Sequence, residues 1–466
     1  MEYIYRDSER RRFVRLGRVT PIDYKICKEK AILKLLEGYT VNISQSGLFC
    51  NIREKVNKGD IVWLSFDRQT LHIYEEIEKR VLIHQNGVLG KVVRIEPKKH
   101  GSYGIGVQFI IRHENNLADF SLFGKKLPKI QKNKETKLNI SVLGDGGWGT
   151  TLAILLSKKA FKVTIWGAFA DYVSHVDKKR ENEKFLPGIK IPKEIEITHD
   201  LKNALEKKDL IILAIPSQHI RKTLIKIKQL GNFNQTVFLS ASKGIEIESL
   251  KRMSEVIQEE LGKVKLAVLS GPTIAHEVAT GIPTVAVIAG ADEEVRKYLQ
   301  GIFTTNRFRI YTNEDVTGVE LGGSLKNIIA IACGISDGLG FGANTKAALL
   351  CRGLTEISRL GAAMKAKVST FSGISGLGDL VTTCVSPYSR NKFVGEQIGK
   401  GKSLKQILSH MQMVAEGIPT TKSAYLLSLK HNVDMPITKE IYNVLYKNKS
   451  PLLALEDLMT RERKEE

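Results

Sequence analysis

Apolar and polar positions divide the chain into stretches of different period. From residue 138 to about 311, strand-sized apolar runs at 138–143, 162–166, 210–214, 237–239, 266–269 and 284–288 alternate with stretches of helical spacing. That alternation predicts an α/β domain with a parallel, doubly wound sheet. From 313 onward strand signals vanish and helical periodicity runs through 458, which predicts an all-α domain. Residues 1–124 instead carry short β-like segments at 39–43, 61–66, 87–95 and 104–110, broken by Gly and Asn, which is the spacing of a small β-barrel. Residues 125–137 are polar and basic, hold one Pro and show no apolar period, so they read as a linker. The expected order is a small β-barrel at 1–124, the linker at 125–137, the doubly wound domain at 138–312 and the helical domain at 313–466.

Composition narrows the compartment and the ligands. At 466 residues the chain is long enough for about three domains, each with its own core. The first ten residues lack an apolar leader core, and the longest apolar runs are too short to span a bilayer. No transmembrane segment is expected, and the cytoplasm is the expected compartment. The five cysteines are scattered without a Cys-x-x-Cys pair and the ten histidines show no ligand spacing, so neither disulfides nor a metal are expected. Net charge is +21, but the lysines spread over helix faces. That distribution suits a solvated surface and phosphate-bearing ligands, and no nucleic-acid polymer is expected.

The first apolar run of the α/β stretch feeds Gly144-Asp-Gly146-Gly147-Trp148-Gly149, a Gly-x-Gly-x-x-Gly turn that opens an apolar helix. Each glycine of the fingerprint has a mechanical role in holding a dinucleotide pyrophosphate. Gly144 permits the tight turn, Gly146 lets the backbone approach the phosphates, and Gly149 lets the helix pack closely on the strand. The helix N-terminus then faces the negative charge. Residues 138–312 therefore read as a Rossmann-type dinucleotide-binding domain.

Other residues carry candidate chemistry. Lys326 lies among Gly, Ser, Leu, Ile and Ala, where burial would lower its pKa toward neutrality and suit it to general acid/base work on a carbonyl or alcohol oxygen; an exposed helix lysine is the competing reading. Lys243 follows the 237–239 strand at a Lys-Gly turn, either at the carboxyl edge of the sheet where ligands sit or as a plain surface lysine. Asp379, in a Gly-rich turn, either holds Lys326 by a charge-assisted bond or caps a helix. Ser389, Arg390 and Asn391 offer a hydroxyl, a guanidinium fork and an amide at a helix start, a suitable phosphate clamp.

The ordered set Glu181-Asn182, Phe185-Leu-Pro-Gly188, Ile215-Pro-Ser-Gln218, Ser242-Lys-Gly-Ile-Glu246, Leu269-Ser-Gly-Pro-Thr273, Gly318 to Asn327, Asp337 to Asn344, Gly376-Leu-Gly-Asp379, Ser389-Arg-Asn391 and Glu416-Gly417 resembles the bacterial-type NAD(P)-dependent glycerol-3-phosphate dehydrogenases over nearly all of 138–459. The resemblance implies NAD or NADP as cofactor and dihydroxyacetone phosphate and glycerol 3-phosphate as substrate and product. It implies Lys326, Lys243 and Asp379 as the catalytic set, with Lys326 as proton donor and acceptor. Lys243, Gly271, Thr273, Lys326, Asp379, Ser389, Arg390 and Asn391 would contact the substrate. Gly144, Gly146, Gly147, Trp148, Gly149, Lys243, Ala275, Arg390, Val414 and Glu416 would line the cofactor site. A homo-oligomer, a dimer, is expected. After the second strand the family often has a basic residue that meets the 2′-phosphate of NADP, whereas Trp166 is followed here by Gly167 and Ala168. No acidic ribose ligand stands there either, so the expected discrimination between NAD and NADP is modest.

Near the N-terminus, Arg11 and Arg15 fit R-x-x-x-R, and Asn42, Ser44 and Gly47 fit [D/N]-x-S-x-x-G. Together they resemble the PilZ domain, which implies a cyclic di-GMP site at Arg11, Arg15, Asn42, Ser44 and Gly47. Arginine forks suit guanine edges and phosphates, although an arginine run also serves as a solvated arm. The expected function is reversible NAD(P)H-dependent reduction of dihydroxyacetone phosphate to sn-glycerol 3-phosphate, feeding phospholipid synthesis and regulated by cyclic di-GMP. The alternative is a noncatalytic cyclic di-GMP effector that uses a dehydrogenase scaffold to signal to a partner.

Overall fold

The computed structural model describes residues 16–17, 21–28, 31–32, 36–44, 46–66, 83–84, 87–98, 102–110, 138–411 and 413–462. It divides into two compact units, Met1–Glu135 and Thr136–Glu466.

In the first unit, strands β1 (Leu16–Gly17), β2 (Pro21–Lys28), β3 (Ala31–Ile32), β4 (Leu36–Ser44), β5 (Gly47–Ile52), β6 (Ile61–Phe66), β7 (Ile83–His84), β8 (Gly87–Pro97) and β9 (Tyr103–Phe109) form one sheet. Six of them close on themselves in the order β2, β4, β5, β9, β8, β6 and back to β2, every pairing antiparallel. This is the small barrel expected from the spacing. The alternation of β5 sends Leu48, Cys50 and Ile52 inward, where they meet Val62, Leu64, Val88, Val92, Ile105 and Val107. Strand β2 lacks an apolar run because Asp and Lys interrupt its apolar positions, and β5 follows β4 through a very tight hairpin. A bulge between Thr40 and Asn42 bends β4 beside the Asn42 motif.

In the second unit, strands β10 (Asn139–Leu143), β11 (Lys162–Trp166), β12 (Glu196–Thr198), β13 (Leu210–Leu213), β14 (Val237–Ser240), β15 (Lys265–Ser270), β16 (Thr284–Ala289) and β17 (Phe308–Asn313) line up as β12, β11, β10, β13, β14, β15, β16, β17. The first six are parallel and follow the order of a dinucleotide-binding sheet, with its switch point between β10 and β13. The sheet is not parallel throughout, as the sequence reading had it: β16 runs antiparallel to β15. The connection between them holds only the short helix Ala275–Ala279, which turns the chain back instead of carrying it across the sheet face. Strands β12 and β17 were also not foreseen. Successive residues of each central strand feed opposite faces: Ile140, Val142, Leu210 and Ile212 enter one core, while Leu143, Ile211, Leu213 and Phe238 enter the other.

The helical part is built around Val316–Gly338, a 23-residue helix apolar enough to cross a membrane by composition, but 94% of that window is buried inside the protein. It packs against the helix Arg390–Gly399 by close backbone approach. A Cβ on Gly334 would lie 2.0 Å from the Lys392 carbonyl oxygen, and one on Gly395 2.0 Å from that of Ile331. Four glycines, 334 and 338 on one helix and 395 and 399 on the other, let the two backbones meet and bring Arg390 and Asn391 alongside Asn327.

Candidate active site

The fingerprint loop leaves β10 and enters the helix Gly147–Ser157. Gly144 has φ +124°, and a Cβ there would lie 2.3 Å from the Ala214 carbonyl oxygen, across the switch point. A Cβ on Gly149 would fall 1.9 Å from the Gly144 oxygen. Gly146 differs, since a Cβ there would meet nothing within 4 Å. Two glycines thus make room for the protein itself, and the third opens on space where a ligand can come close to the backbone. The helix carries no side-chain N-cap, and the Trp148 indole Nε1 and Asp145 Oδ2 are buried without a hydrogen-bond partner among the described residues. Uncapped N–H groups and orphaned polar atoms around a glycine cradle fit a dinucleotide. Ala275 borders the cradle, its Cβ 3.8 Å from a Cβ on Gly147, and its carbonyl accepts a hydrogen bond from Thr151 Oγ1 at 3.1 Å.

The charged cluster draws on distant segments. Lys243 follows β14, and Gly271 and Thr273 follow β15, so all sit past the carboxyl edge of the sheet. Lys326 lies mid-way along the helix Val316–Gly338 and is buried there. Gly322, one turn earlier, lacks the Cβ that would meet the Ser375 carbonyl oxygen at 2.7 Å. The Gly-rich turn Ile374–Gly378 therefore comes close and delivers Asp379 at the start of the helix Asp379–Val385. The Asp379 side chain does not cap that helix. Its Oδ1 accepts from Lys326 Nζ at 2.5 Å and its Oδ2 from Lys243 Nζ at 2.7 Å. Lys326 also donates to Thr383 Oγ1 at 2.5 Å, and Lys243 to the Gly271 carbonyl at 2.9 Å, with Thr273 Oγ1 at 3.4 Å.

Burial lowers the Lys326 amine to about 8; the Asp379 carboxylate opposes that shift and the Lys243 charge adds to it. Two ammonium groups against one carboxylate leave a net positive pocket that suits an oxyanion. Of the three Lys326 N–H bonds, Asp379 and Thr383 take two, which leaves one for a ligand oxygen.

Comparisons with known proteins give the family of the chain. The model of the NAD-dependent glycerol-3-phosphate dehydrogenase N-terminus matches residues 139–296, and that of its C-terminus matches 315–456. A glycerol-3-phosphate dehydrogenase, NAD(P)+, of Chlorobium phaeobacteroides (strain BS1) is 47% identical over 332 residues, which cover 71% of this chain and 99% of that protein. The chain belongs to this family. A second relative of the same name, from Prosthecochloris aestuarii, is 49% identical over 70% of this chain and 99% of its own. The crystal structure of the glycerol-3-phosphate dehydrogenase of Coxiella burnetii aligns with TM-score 0.68 and 38% identity over 70% of this chain and 99% of that one. Residues 9–121 match the PilZ domain, so the dehydrogenase carries a PilZ domain in front of an oxidoreductase that uses NAD or NADP.

The remaining expected residues of the dehydrogenase come to the same region unequally free to act. Ser389 caps the helix Arg390–Gly399 by accepting from the Lys392 backbone N–H at 3.3 Å. Asn391 donates from Nδ2 to Asn327 Oδ1 at 2.8 Å and accepts from the Gly417 N–H at 2.9 Å. Arg390 is exposed and makes no ion pair among the described residues, so it is the member of the trio with its fork available. Glu416 accepts from Ser217 N at 2.8 Å and Ser217 Oγ at 2.5 Å, and burial pushes its carboxyl up, opposed by those bonds and by Arg390. Val414, two residues earlier, is exposed. Sequence reasoning gave no role to Ser217, Thr383 or Asp145. Ser217 stands just past β13 and Thr383 one helical turn after Asp379, and both positions were signals that were available.

In the PilZ domain, Arg11 and Arg15 lie outside the described residues, as do the side chains of Asn42 and Ser44 on β4. Gly47 opens β5, where a Cβ would meet the Val107 carbonyl oxygen at 2.2 Å. That close approach of β9 is a packing reason for glycine there, independent of any ligand.

Proposed function

We propose that the chain reduces dihydroxyacetone phosphate to sn-glycerol 3-phosphate, reversibly, and that its PilZ domain binds cyclic di-GMP and regulates that reaction. The observation that carries the catalytic part is the Asp379 carboxylate, shared by Lys326 and Lys243 at 2.5 and 2.7 Å. Bound NADH or NADPH supplies the hydride. Lys326 gives its proton to the oxygen that becomes the new hydroxyl, and an amine held at about 8 both keeps and releases that proton near neutral pH. Asp379 holds the ammonium group in place and keeps Lys243 beside it, so positive charge is already arranged where the alkoxide develops. Arg390, with Asn391 fixing the helix start, offers a fork to the phosphate group. In the reverse direction neutral Lys326 takes the proton of the alcohol.

The sensor part rests on the PilZ match and on the motif residues Arg11, Arg15, Asn42, Ser44 and Gly47. We assign it to 1–124, joined by the linker 125–137 to the coenzyme domain 138–312 and the helical domain 313–466. One assay tests both parts: NADH and NADPH oxidation by the full chain with dihydroxyacetone phosphate, with and without cyclic di-GMP. Substrate-dependent oxidation whose rate changes with cyclic di-GMP, and loses that response when Arg11 and Arg15 are both replaced by Ala, is the expected result. No oxidation overturns the enzyme reading, and an unaltered rate overturns the regulation.

A further inference from the structure

In a sheet of this order, the residue that meets the adenosine ribose stands at the carboxyl end of the second strand, here β11. That end is Gly167 and Ala168, which offer no polar side chain. The structure fills the place from elsewhere. A Cβ on Gly167 would lie 2.3 Å from Asp145 Oδ2 and 2.6 Å from its carboxyl carbon. The Asp145 carboxylate, carried by the second position of the fingerprint loop, therefore occupies the space that a side chain at 167 would need. A side chain at 167 would force that carboxylate to shift, so the glycine after β11 leaves it room to lie there.

The Asp145 backbone is held in place, while one oxygen of its carboxylate is left without a partner among the described residues. Asn182 Nδ2 donates to the Asp145 backbone oxygen at 2.7 Å and to Thr150 Oγ1 at 2.8 Å, while Asn182 Oδ1 accepts from the Tyr172 hydroxyl at 2.6 Å. Asp145 Oδ2 itself has no hydrogen-bond partner among the described residues. A buried acceptor without a donor is costly, and a ligand hydroxyl relieves that cost. A cation whose charge acts on it is Lys184, which is exposed, forms no ion pair with it among the described residues, and holds its Nζ over the rings of Tyr172 and Phe185 at 5.7 and 5.1 Å.

We propose that Asp145 reads the ribose 2′ position from the fingerprint loop and selects NADH over NADPH. A 2′-hydroxyl donates to the orphaned carboxylate oxygen, whereas a 2′-phosphate brings like charge against it at short range. The modest discrimination expected from Gly167 and Ala168 alone gives way to a definite preference. This inference rests on the proposed use of NADH or NADPH by the chain.

The test is calorimetric titration of the full chain with NADH and with NADPH, for the wild type, Asp145→Asn and Asp145→Ala, with melting curves to confirm folding. The wild type is expected to bind NADH at least about tenfold more tightly than NADPH, and each variant to shrink that ratio about tenfold, chiefly by binding NADPH better. The ratio of kcat/KM values for the two coenzymes should move in step. A wild type that binds both equally or prefers NADPH, or a ratio unchanged in folded variants, overturns the role of Asp145 while leaving the dehydrogenase reading in place. Absence of binding by either coenzyme overturns that reading and this inference with it.

Discussion

The fingerprint loop and the lysine–aspartate cluster lie past the carboxyl edge of the same sheet, yet they are specified in opposite ways. The loop fits within six residues, and its glycines act through their own backbone and near neighbours. The cluster joins Lys243, Gly271, Thr273, Lys326, Asp379 and Thr383, with partners up to 136 residues apart. A backbone turn can be encoded locally because it needs only particular φ values and missing side chains. A pair of desolvated ammonium groups needs a counter-charge brought in from another part of the chain, and only packing can deliver it.

The largest effect should come from removing that counter-charge. Asp379→Ala leaves Lys326 and Lys243 facing each other without compensation, and urea unfolding should show a loss of about 3–5 kcal/mol together with abolished turnover. A variant as stable as the wild type would mean that the lysines are not paid for by Asp379. Lys326→Ala is next. Turnover should fall by about 10²-fold or more, while the melting temperature holds, because the buried ammonium is itself a cost. Near-normal turnover in a folded variant would remove Lys326 from the chemistry.

The loop makes the sharper test of the comparison, since two of its glycines should respond in opposite ways. Gly149→Ala, whose new Cβ would fall 1.9 Å from the Gly144 oxygen, should destabilise the protein. The cost should be about 1–3 kcal/mol or more. Gly146→Ala should leave stability within about 0.5 kcal/mol, since nothing surrounds the new methyl, yet weaken coenzyme binding in a titration. If both variants lose stability alike, the division of the glycines between protein and ligand is wrong.

The smallest effect is a displaced pH limb. In the proposed reaction Lys326 must be protonated to reduce the ketone and neutral to oxidise the alcohol. The reduction kcat should therefore fall as pH rises through about 8, and the oxidation kcat should rise through the same value. Limbs near the ordinary lysine range in both directions would show that burial does not tune this amine.

Much of the fold was legible. The apolar runs placed most strands of the α/β sheet, and the loss of strand signal near residue 313 marked the passage to helices. What escaped were elements whose pattern is weak or whose partner decides them. Strand β2 alternates apolar residues with Asp and Lys, β12 has only three residues, and β16 looked like any other parallel strand until the short connection turned it back. At the site, Lys326, Lys243 and Asp379 were all named from the residues, but each carried a second reading. The structure joins Lys326 and Lys243 to one carboxylate, that of Asp379, a sharing that no local pattern indicated.

The sequence by itself determined what depends on near neighbours: the period of each stretch, the glycine turn after β10, and the small residues that mark close approach. These follow from backbone sterics and side-chain spacing along a short segment. Tertiary structure alone decided which acid answers which base, and that an empty position at Gly167 is filled by the carboxylate of Asp145. Charge pairing and the filling of space depend on distances between segments far apart in the chain, and those distances exist only once the sheet and helices have packed.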